Sequence, residues 1–94
     1  MVTINWTELA VQDLRDIHDY IAKDSKFYAD RYIDKLIDRV DQLESQPKSG
    51  RIVPEFGLIT IREIIEGNYR IVYQINSSIS ISILRIHHAA RELK

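Results

Sequence analysis

The chain has 94 residues, 45% of them hydrophobic, which suits one domain with a single core beneath two layers of secondary structure. It contains no cysteine, so disulfides, thiolate zinc sites and cysteine nucleophiles are excluded. The formal net charge of −1 hides an asymmetry, because residues 1–47 carry six Lys/Arg and ten Asp/Glu, whereas residues 48–94 carry seven and four. The second half is therefore the expected face for an anionic partner, unless its charges form only an ordinary solvated surface.

We expect neither a signal peptide at the start of the chain nor a membrane-spanning helix within it. The first residues, MVTINWTELA, have no basic leader and no long apolar run. No apolar stretch approaches the roughly 20 residues that a membrane-spanning helix needs. We therefore expect a single soluble domain over residues 1–94, located in the cytoplasm and making no membrane contact.

The first half of the chain predicts a strand followed by a helical hairpin. Residues 2–6 alternate apolar and polar side chains, which is the period of a half-buried strand. Thr7 and Ser25 are predicted to cap two helices, the second of which ends before Pro47. The apolar stripes of these helices are Ala10, Leu14, Ile17 and Ile21, and then Ala29, Ile33, Leu36, Val40 and Leu43. Aspartates occupy the opposite faces, so the hairpin is expected to be apolar inside and acidic outside.

The second half predicts a loop and three strands. Residues 46–57 contain both prolines and two of the three glycines, which indicates a loop. Strands are predicted over residues 58–65, 69–75 and 79–88, joined by tight turns. The order β-α-α-β-β-β predicts an α+β fold, in which the helical hairpin packs on one face of a mostly antiparallel four-stranded sheet.

Hydrophobic sorting favours three-residue turns, which place Ile65 opposite Tyr69 and Ile75 opposite Ile79. The helix-covered face then consists of Ile59, Ile61, Tyr69, Ile71, Tyr73, Ile75, Ile79, Ile81 and Ile83. The open face holds Arg62 and Arg70 together with Val72, Leu84 and Ile86. In this register His88 continues the open face, whereas Arg85 and His87 lie on the helix-covered side. A bulge would exchange the two histidines.

Five stretches match a known family in their order and spacing. They are DLRDIHDYI, SGRIVPEFG, IRE, GNYRIVYQI and ILRIHHAARELK. With these stretches the chain resembles the ParE/RelE superfamily of toxins from type II toxin–antitoxin modules, including those that stabilise plasmids. The resemblance implies a small toxin held inactive by the C-terminal segment of an antitoxin, in a hetero-oligomer. Two activities occur in the superfamily, namely poisoning of DNA gyrase and ribosome-dependent cleavage of mRNA, and neither implies a cofactor for the toxin.

A ribonuclease of this kind needs an acceptor for the ribose 2′-hydroxyl proton, cations on the phosphate and an acid for the leaving oxygen. The candidate set is His88, Arg62, Arg70 and Glu55. Alternatively, His88 hydrogen-bonds backbone at a strand end, and the arginines pair with neighbouring glutamates or face solvent.

Two departures favour the gyrase-directed, ParE-like branch, whose action needs no catalytic residue. No lysine lies between Lys48 and Lys94, and the last stretch, HHAARELK, resembles that branch. With a sequence pI near 6.3, the chain also has few cations to offer an RNA-lined cavity. Arg51, Arg85 and Arg91 are then the predicted contacts to the target.

Val72, Leu84 and Ile86 are apolar where an open face should meet water, and with Arg62 and Arg70 they form the predicted antitoxin groove. Alternatively, the C-terminal residues of the chain bury this strip. A non-toxic module that only pairs with its partner would keep the same core and groove. No metal site is predicted, because adjacent strand histidines face apart and His18 lies in the first helix.

Overall fold

The protein, described here over residues 1–89 by a computed structural model, consists of a helical hairpin and one sheet. The elements are β1 (Thr3–Trp6), α1 (Glu8–Ala22), α2 (Lys26–Asp41), β2 (Arg51–Ile52), β3 (Ile61–Glu66), β4 (Tyr69–Ser77) and β5 (Ser80–His88), with a 3-10 turn at Gln42–Glu44. The strand order is β1-β5-β4-β3-β2, with β1 parallel to β5 and the other pairs antiparallel. The predicted α+β fold is confirmed, and the short strand β2, predicted as loop, makes the sheet five-stranded. None of the helices in this part of the chain is long and apolar enough to cross a membrane.

Both helices of the hairpin begin at the caps that the sequence predicts. Thr7 Oγ1 accepts a hydrogen bond from Ala10 N at 3.2 Å, and Ser25 Oγ accepts one from Tyr28 N at 3.2 Å. Each bond satisfies an amide that the first helical turn leaves unpaired. Thr7 Oγ1 also donates to Ile83 O at 2.6 Å, which fixes the start of α1 against β5.

The core is one apolar cluster between the hairpin and the sheet. Its buried members are Ala10, Ile17, Leu36, Val40, Leu43, Ile64, Ile71, Tyr73, Ile81, Ile83 and Ile86. Two members of the predicted helix-covered face, Ile59 and Ile79, are instead 69% and 68% exposed. Ile64 and Ile86 take part in the core in their place, so the predicted register needs correction on both sides of β4.

The turn between β3 and β4 has two residues rather than three. Glu66 pairs with Tyr69, and Ile65 consequently pairs with Arg70. Gly67 has a φ of +58°, the conformation that a two-residue hairpin turn requires at its first central position. A register chosen to keep the apolar residues on one face disfavours this turn, because the turn places Arg62 on the helix side. The structure accommodates Arg62 at the edge of the sheet, where its guanidinium reaches loop carbonyls.

The pairing of β4 with β5 contains two bulges. Tyr73 pairs with Ile83 but Val72 pairs with Arg85, so that Leu84 is an extra residue in β5. A second shift separates Ile75 from Ser77, and Ser77 pairs with Ser80, so the predicted pairing of Ile75 with Ile79 is also wrong.

The bulge at Leu84 exchanges the two histidines. His87 pairs with Arg70, and His88 pairs with Tyr69. Tyr69 packs against the core cluster, so His88 lies on the helix side. The predicted placement of His88 on the open face is therefore wrong, and the bulge is the physical reason.

Candidate functional site

Arg70 is the centre of an ion-pair network on the open face of the sheet. Its Nε donates to Glu63 Oε1 at 2.6 Å, and its two terminal nitrogens donate to the Glu55 carboxylate at 2.8 and 2.9 Å. Arg51 Nε donates to the other oxygen of Glu63 at 2.5 Å. The hydrogen bonds to Glu55 are the main cause of a raised pKa for Arg70, which burial of the guanidinium opposes.

The strand register brings this network together. Glu63 lies opposite Val72 in the β3–β4 pair, so Arg70 is its diagonal neighbour on the same face. Both Glu63 and Arg70 are buried. Since two guanidinium groups meet two carboxylates, the network is balanced in charge, as burial of ionised groups requires.

Arg62 does not take part in this network. It fixes the loop before β2, residues 45–50. Its Nε donates to Ile59 O at 3.0 Å, and its Nη1 donates to Gly50 O at 3.1 Å and to Lys48 O at 3.3 Å. Tyr73 fixes the same loop, since its hydroxyl donates to Pro47 O at 2.8 Å and accepts from Gly50 N at 3.0 Å. Arg62 therefore acts on backbone carbonyls at the sheet edge.

The predicted nuclease set is not assembled around one point. The ring of His88 meets the ring of Tyr69 edge-on, with centroids 5.6 Å apart, on the helix side of the sheet. Arg62 is directed to the loop carbonyls. Of the four residues, the structure brings only Arg70 and Glu55 into contact, and it does so as partners of each other.

The predicted antitoxin groove is also different in geometry. Val72 and Ile86 are only 2% and 3% exposed, and Ile86 belongs to the helix-side core. Leu84 is half-buried at the bulge. The five residues therefore do not form one exposed strip, and their contact with an antitoxin stays a prediction.

The three predicted target contacts have different environments. The side chain of Arg51 is 63% exposed although its Nε binds Glu63. Arg85 forms two hydrogen bonds with the Asp13 carboxylate, at 2.8 and 3.1 Å, and these raise its pKa. Arg91 lies outside the described residues.

Asp13 is a key residue that sequence reasoning missed. Its Oδ2 accepts from Ile86 N at 2.9 Å as well as from Arg85, and so it ties α1 to β5 just after the bulge. The sequence assigned Asp13 to the acidic outer face of the hairpin. One sequence feature could have indicated the bulge that Asp13 contacts. Ile83 and Ile86 are three residues apart, whereas two residues on the same face of a regular strand are an even number apart.

A groove of about 650 Å³ lies between α1 and the end of β5. Its walls include Asp16, Tyr20, Tyr69, Arg85 and His88. Within residues 1–89, no group of three or more His, Cys, Asp or Glu residues is placed to hold a metal ion.

Comparisons with known proteins place these features in a family. Residues 4–93 match the ParE toxin of the type II toxin–antitoxin system parDE. Toxin RelE2 of Caulobacter vibrioides is 35% identical over 92 residues, which cover 97% of this chain and 99% of that protein.

Two solved structures share the fold. The chromosomal ParDE toxin–antitoxin system from P. aeruginosa has a TM-score of 0.75 and 22% identity, over 94% of this chain and 96% of that chain. The toxin–antitoxin complex RelBE2 from Mycobacterium tuberculosis has a TM-score of 0.69 and 21% identity, over 93% and 96%. Since the family match extends over nearly the whole sequence, this chain belongs to the ParE toxin family of type II toxin–antitoxin systems.

Proposed function

We propose that this chain is neutralised by a bound antitoxin and that, once released, it poisons DNA gyrase in the cytoplasm rather than cleaving mRNA. Family membership and two similar structures named as toxin–antitoxin systems support the antitoxin partner. The dispersal of the nuclease residues supports the choice of target.

The choice of gyrase over mRNA depends on the separation of the four candidate nuclease residues in the structure. Phosphodiester cleavage by acid–base chemistry needs a proton-transfer group and free cations that converge on one phosphate. Here Nε and both terminal nitrogens of Arg70 already bind carboxylates. A phosphate would have to displace Glu55 to reach Arg70, while Arg62 and His88 lie elsewhere.

Gyrase poisoning requires a binding surface and no catalytic residue. We propose that Arg51, Arg85 and Arg91 are the cationic residues that contact gyrase. Of Arg51 and Arg85, which the structure describes, Arg51 is the more exposed. For the antitoxin we keep Leu84, which remains half-buried at the β5 bulge. Arg62 and Arg70 contribute indirectly, by holding the loops on either side of β2, and Val72 and Ile86 contribute as buried residues of β4 and β5.

A second candidate function is mRNA cleavage that uses His87 in place of His88. The observation in its favour is the pairing of His87 with Arg70 in the β4–β5 ladder. A histidine has a suitable ordinary pKa for proton transfer. This candidate also requires release of Arg70 from Glu55.

The experiment compares the purified toxin in a gyrase supercoiling assay and in a ribosome-dependent mRNA cleavage assay. We expect inhibited supercoiling and intact mRNA, with His87→Gln and His88→Gln both within a few-fold of wild type. If His87 is instead the proton-transfer group, its replacement should cost roughly 10²–10⁴ in cleavage rate, and the His88→Gln control should cost little. Cleavage with that pattern would overturn the gyrase assignment.

The non-toxic alternative has its own test. Expression of the chain without a partner should stop growth if it is an active toxin. Normal growth with abundant folded protein would instead identify an inert, partner-binding module.

A further inference from the structure

Residues 53–61, here called the edge loop, connect β2 to β3 at the outer edge of the sheet. The loop is closed by a hydrogen bond from Val53 N to Ile61 O at 3.2 Å. Inside it, Gly57 N donates to Val53 O at 3.0 Å, and Ile61 N donates to Leu58 O at 3.1 Å. The edge loop is therefore an ordered unit built from two consecutive turns.

The edge loop exposes three large apolar side chains. Val53, at its start, is fully buried, and the side chain of Glu55, the one charged residue of the loop, binds Arg70. Phe56, Leu58 and Ile59 are in contrast 40%, 53% and 69% exposed. Val53 and the ion pair of Glu55 with Arg70 thus hold the loop in place while these three apolar side chains face outward, which indicates a surface that a partner covers.

The surroundings of the edge loop are cationic. Lys48 and Arg51 are exposed beside it, and the neighbouring carboxylates of Glu55 and Glu63 are occupied by Arg70 and Arg51. A partner segment that combines apolar and acidic side chains is complementary to this surface. The sheet also ends at the two-residue strand β2, which gives an extended segment an edge to follow.

We propose that the edge loop is a docking surface for an apolar and acidic segment of the antitoxin. Phe56, Leu58 and Ile59 supply the apolar contacts, and Arg51 supplies the cation that pairs with an acidic side chain. This assignment rests on the proposed function, because it takes the antitoxin as the partner. It adds a surface that is exposed in the free chain to the half-buried contact proposed at Leu84, and the buried Val72 is not part of this surface.

The chain offers a matched pair of residues for the test. Ile59 and Ile79 are exposed to nearly the same extent, 69% and 68%, but Ile79 lies in the β4–β5 turn. Ile59→Glu and Ile79→Glu introduce the same charge and remove the same apolar surface. Since neither side chain is packed in the core, both variants should keep the thermal unfolding temperature of wild type.

Affinity for the purified antitoxin encoded beside this toxin is measured by calorimetric titration. Ile59→Glu should raise Kd by about tenfold or more, which is the effect expected for an interface contact, while Ile79→Glu should stay within about twofold. Arg51→Gln should weaken binding at low salt and reduce its salt dependence, with the exposed Lys23→Gln as control.

Each other outcome overturns the docking surface. Equal affinity of the two isoleucine variants would remove it while leaving the antitoxin partnership intact, since wild type still binds. If Ile59→Glu keeps antitoxin affinity but loses gyrase inhibition, the surface belongs to the target. If it abolishes self-association of the toxin and nothing else, the surface belongs to a second copy. If wild type fails to bind, the antitoxin partnership fails first, and this assignment fails with it.

Discussion

The strand register predicted from the pattern of hydrophobic residues is wrong at individual charged residues. The sequence places charges outside and isoleucines inside, and this rule selected a register in which Arg62 faces away from the helices. In the structure Arg62 lies at the sheet edge and binds carbonyl oxygens, while Glu63 is buried because Arg51 and Arg70 bind both of its oxygens. Both arrangements depend on partners distant in sequence, which periodicity cannot reveal.

Glycine positions give a prediction at the scale of one residue. Gly57 and Gly67 both have positive φ, +63° and +58°, so alanine is strained at either position. A Cβ at Gly57 would meet nothing within 4 Å, whereas at Gly67 it would collide with the hydroxyl of Tyr32. That hydroxyl donates to Glu66 O at 3.0 Å, so moving it costs a hydrogen bond as well.

We therefore expect Gly57→Ala to lower the free energy of unfolding by about 1–2 kcal/mol, the cost of a left-handed alanine. Gly67→Ala should lower it by roughly 1 kcal/mol more, because the Tyr32 contact is added. Urea denaturation of the two variants measures both values. Equal losses would mean that Tyr32 moves aside without cost.

At the scale of elements, the sequence predicts what local chemistry specifies. The helix caps at Thr7 and Ser25 are confirmed because a cap is a contact between residues three apart. The strands β4 and β5 are found within two residues of their predicted bounds. The sequence raised a bulge as an alternative but could not locate it at Leu84, because the contacts of Asp13 with Arg85 and Ile86 join residues over seventy positions apart.

The link between α1 and the bulge gives a prediction for Asp13. Asp13→Ala removes two hydrogen bonds to Arg85 and one to Ile86 N. The amide of Ile86 is then left without this acceptor, and we expect a loss of roughly 1–3 kcal/mol in the free energy of unfolding.

Asp16→Ala is the matched control on the same helix. Asp16 is exposed and accepts only a surface hydrogen bond from Gln12 among the contacts described, so its replacement should cost within about 0.5 kcal/mol. Chemical denaturation compares the two variants. Similar losses would show that the Asp13 contacts add nothing to the stability of the bulge.

At the scale of the whole molecule, different interactions hold the loops on the two faces of the sheet. On the face covered by the helical hairpin, Tyr73 lies in the core, and Tyr73 and its neighbour Arg62 bind the loop before β2. On the other face, Arg70 holds the edge loop through Glu55. The sequence predicts the fold class and the family, since both follow from the order of elements and motifs. It does not predict the ion-pair network of the second face, because that network depends on four charged residues that meet from four segments of the chain, namely Arg51, Glu55, Glu63 and Arg70.

The phenol of Tyr73 connects the loop before β2 to the core and gives a pH-dependent prediction. Tyr73 is fully buried, and burial raises its pKa, with the hydrogen bond from Gly50 acting in the opposite direction. A phenolate can no longer donate to Pro47 O, so ionisation is unfavourable in the folded state. The folded pKa lies above the unfolded value of about 10, and the resulting stability is fully present below about pH 10 and is lost as pH rises through the folded pKa.

Tyr73→Phe should therefore be less stable than wild type at about pH 8, by roughly 1–2 kcal/mol, because two hydrogen bonds are lost. Its free energy of unfolding should then fall less steeply than that of wild type between about pH 9 and pH 11, because the phenylalanine cannot ionise. Tyr32 and Tyr69 also have pKa values raised by burial, so part of the alkaline decline should remain. The exposed Tyr20→Phe variant should follow the wild-type curve. Parallel curves for Tyr73→Phe and wild type would show that the loop before β2 is held at high pH without this phenol.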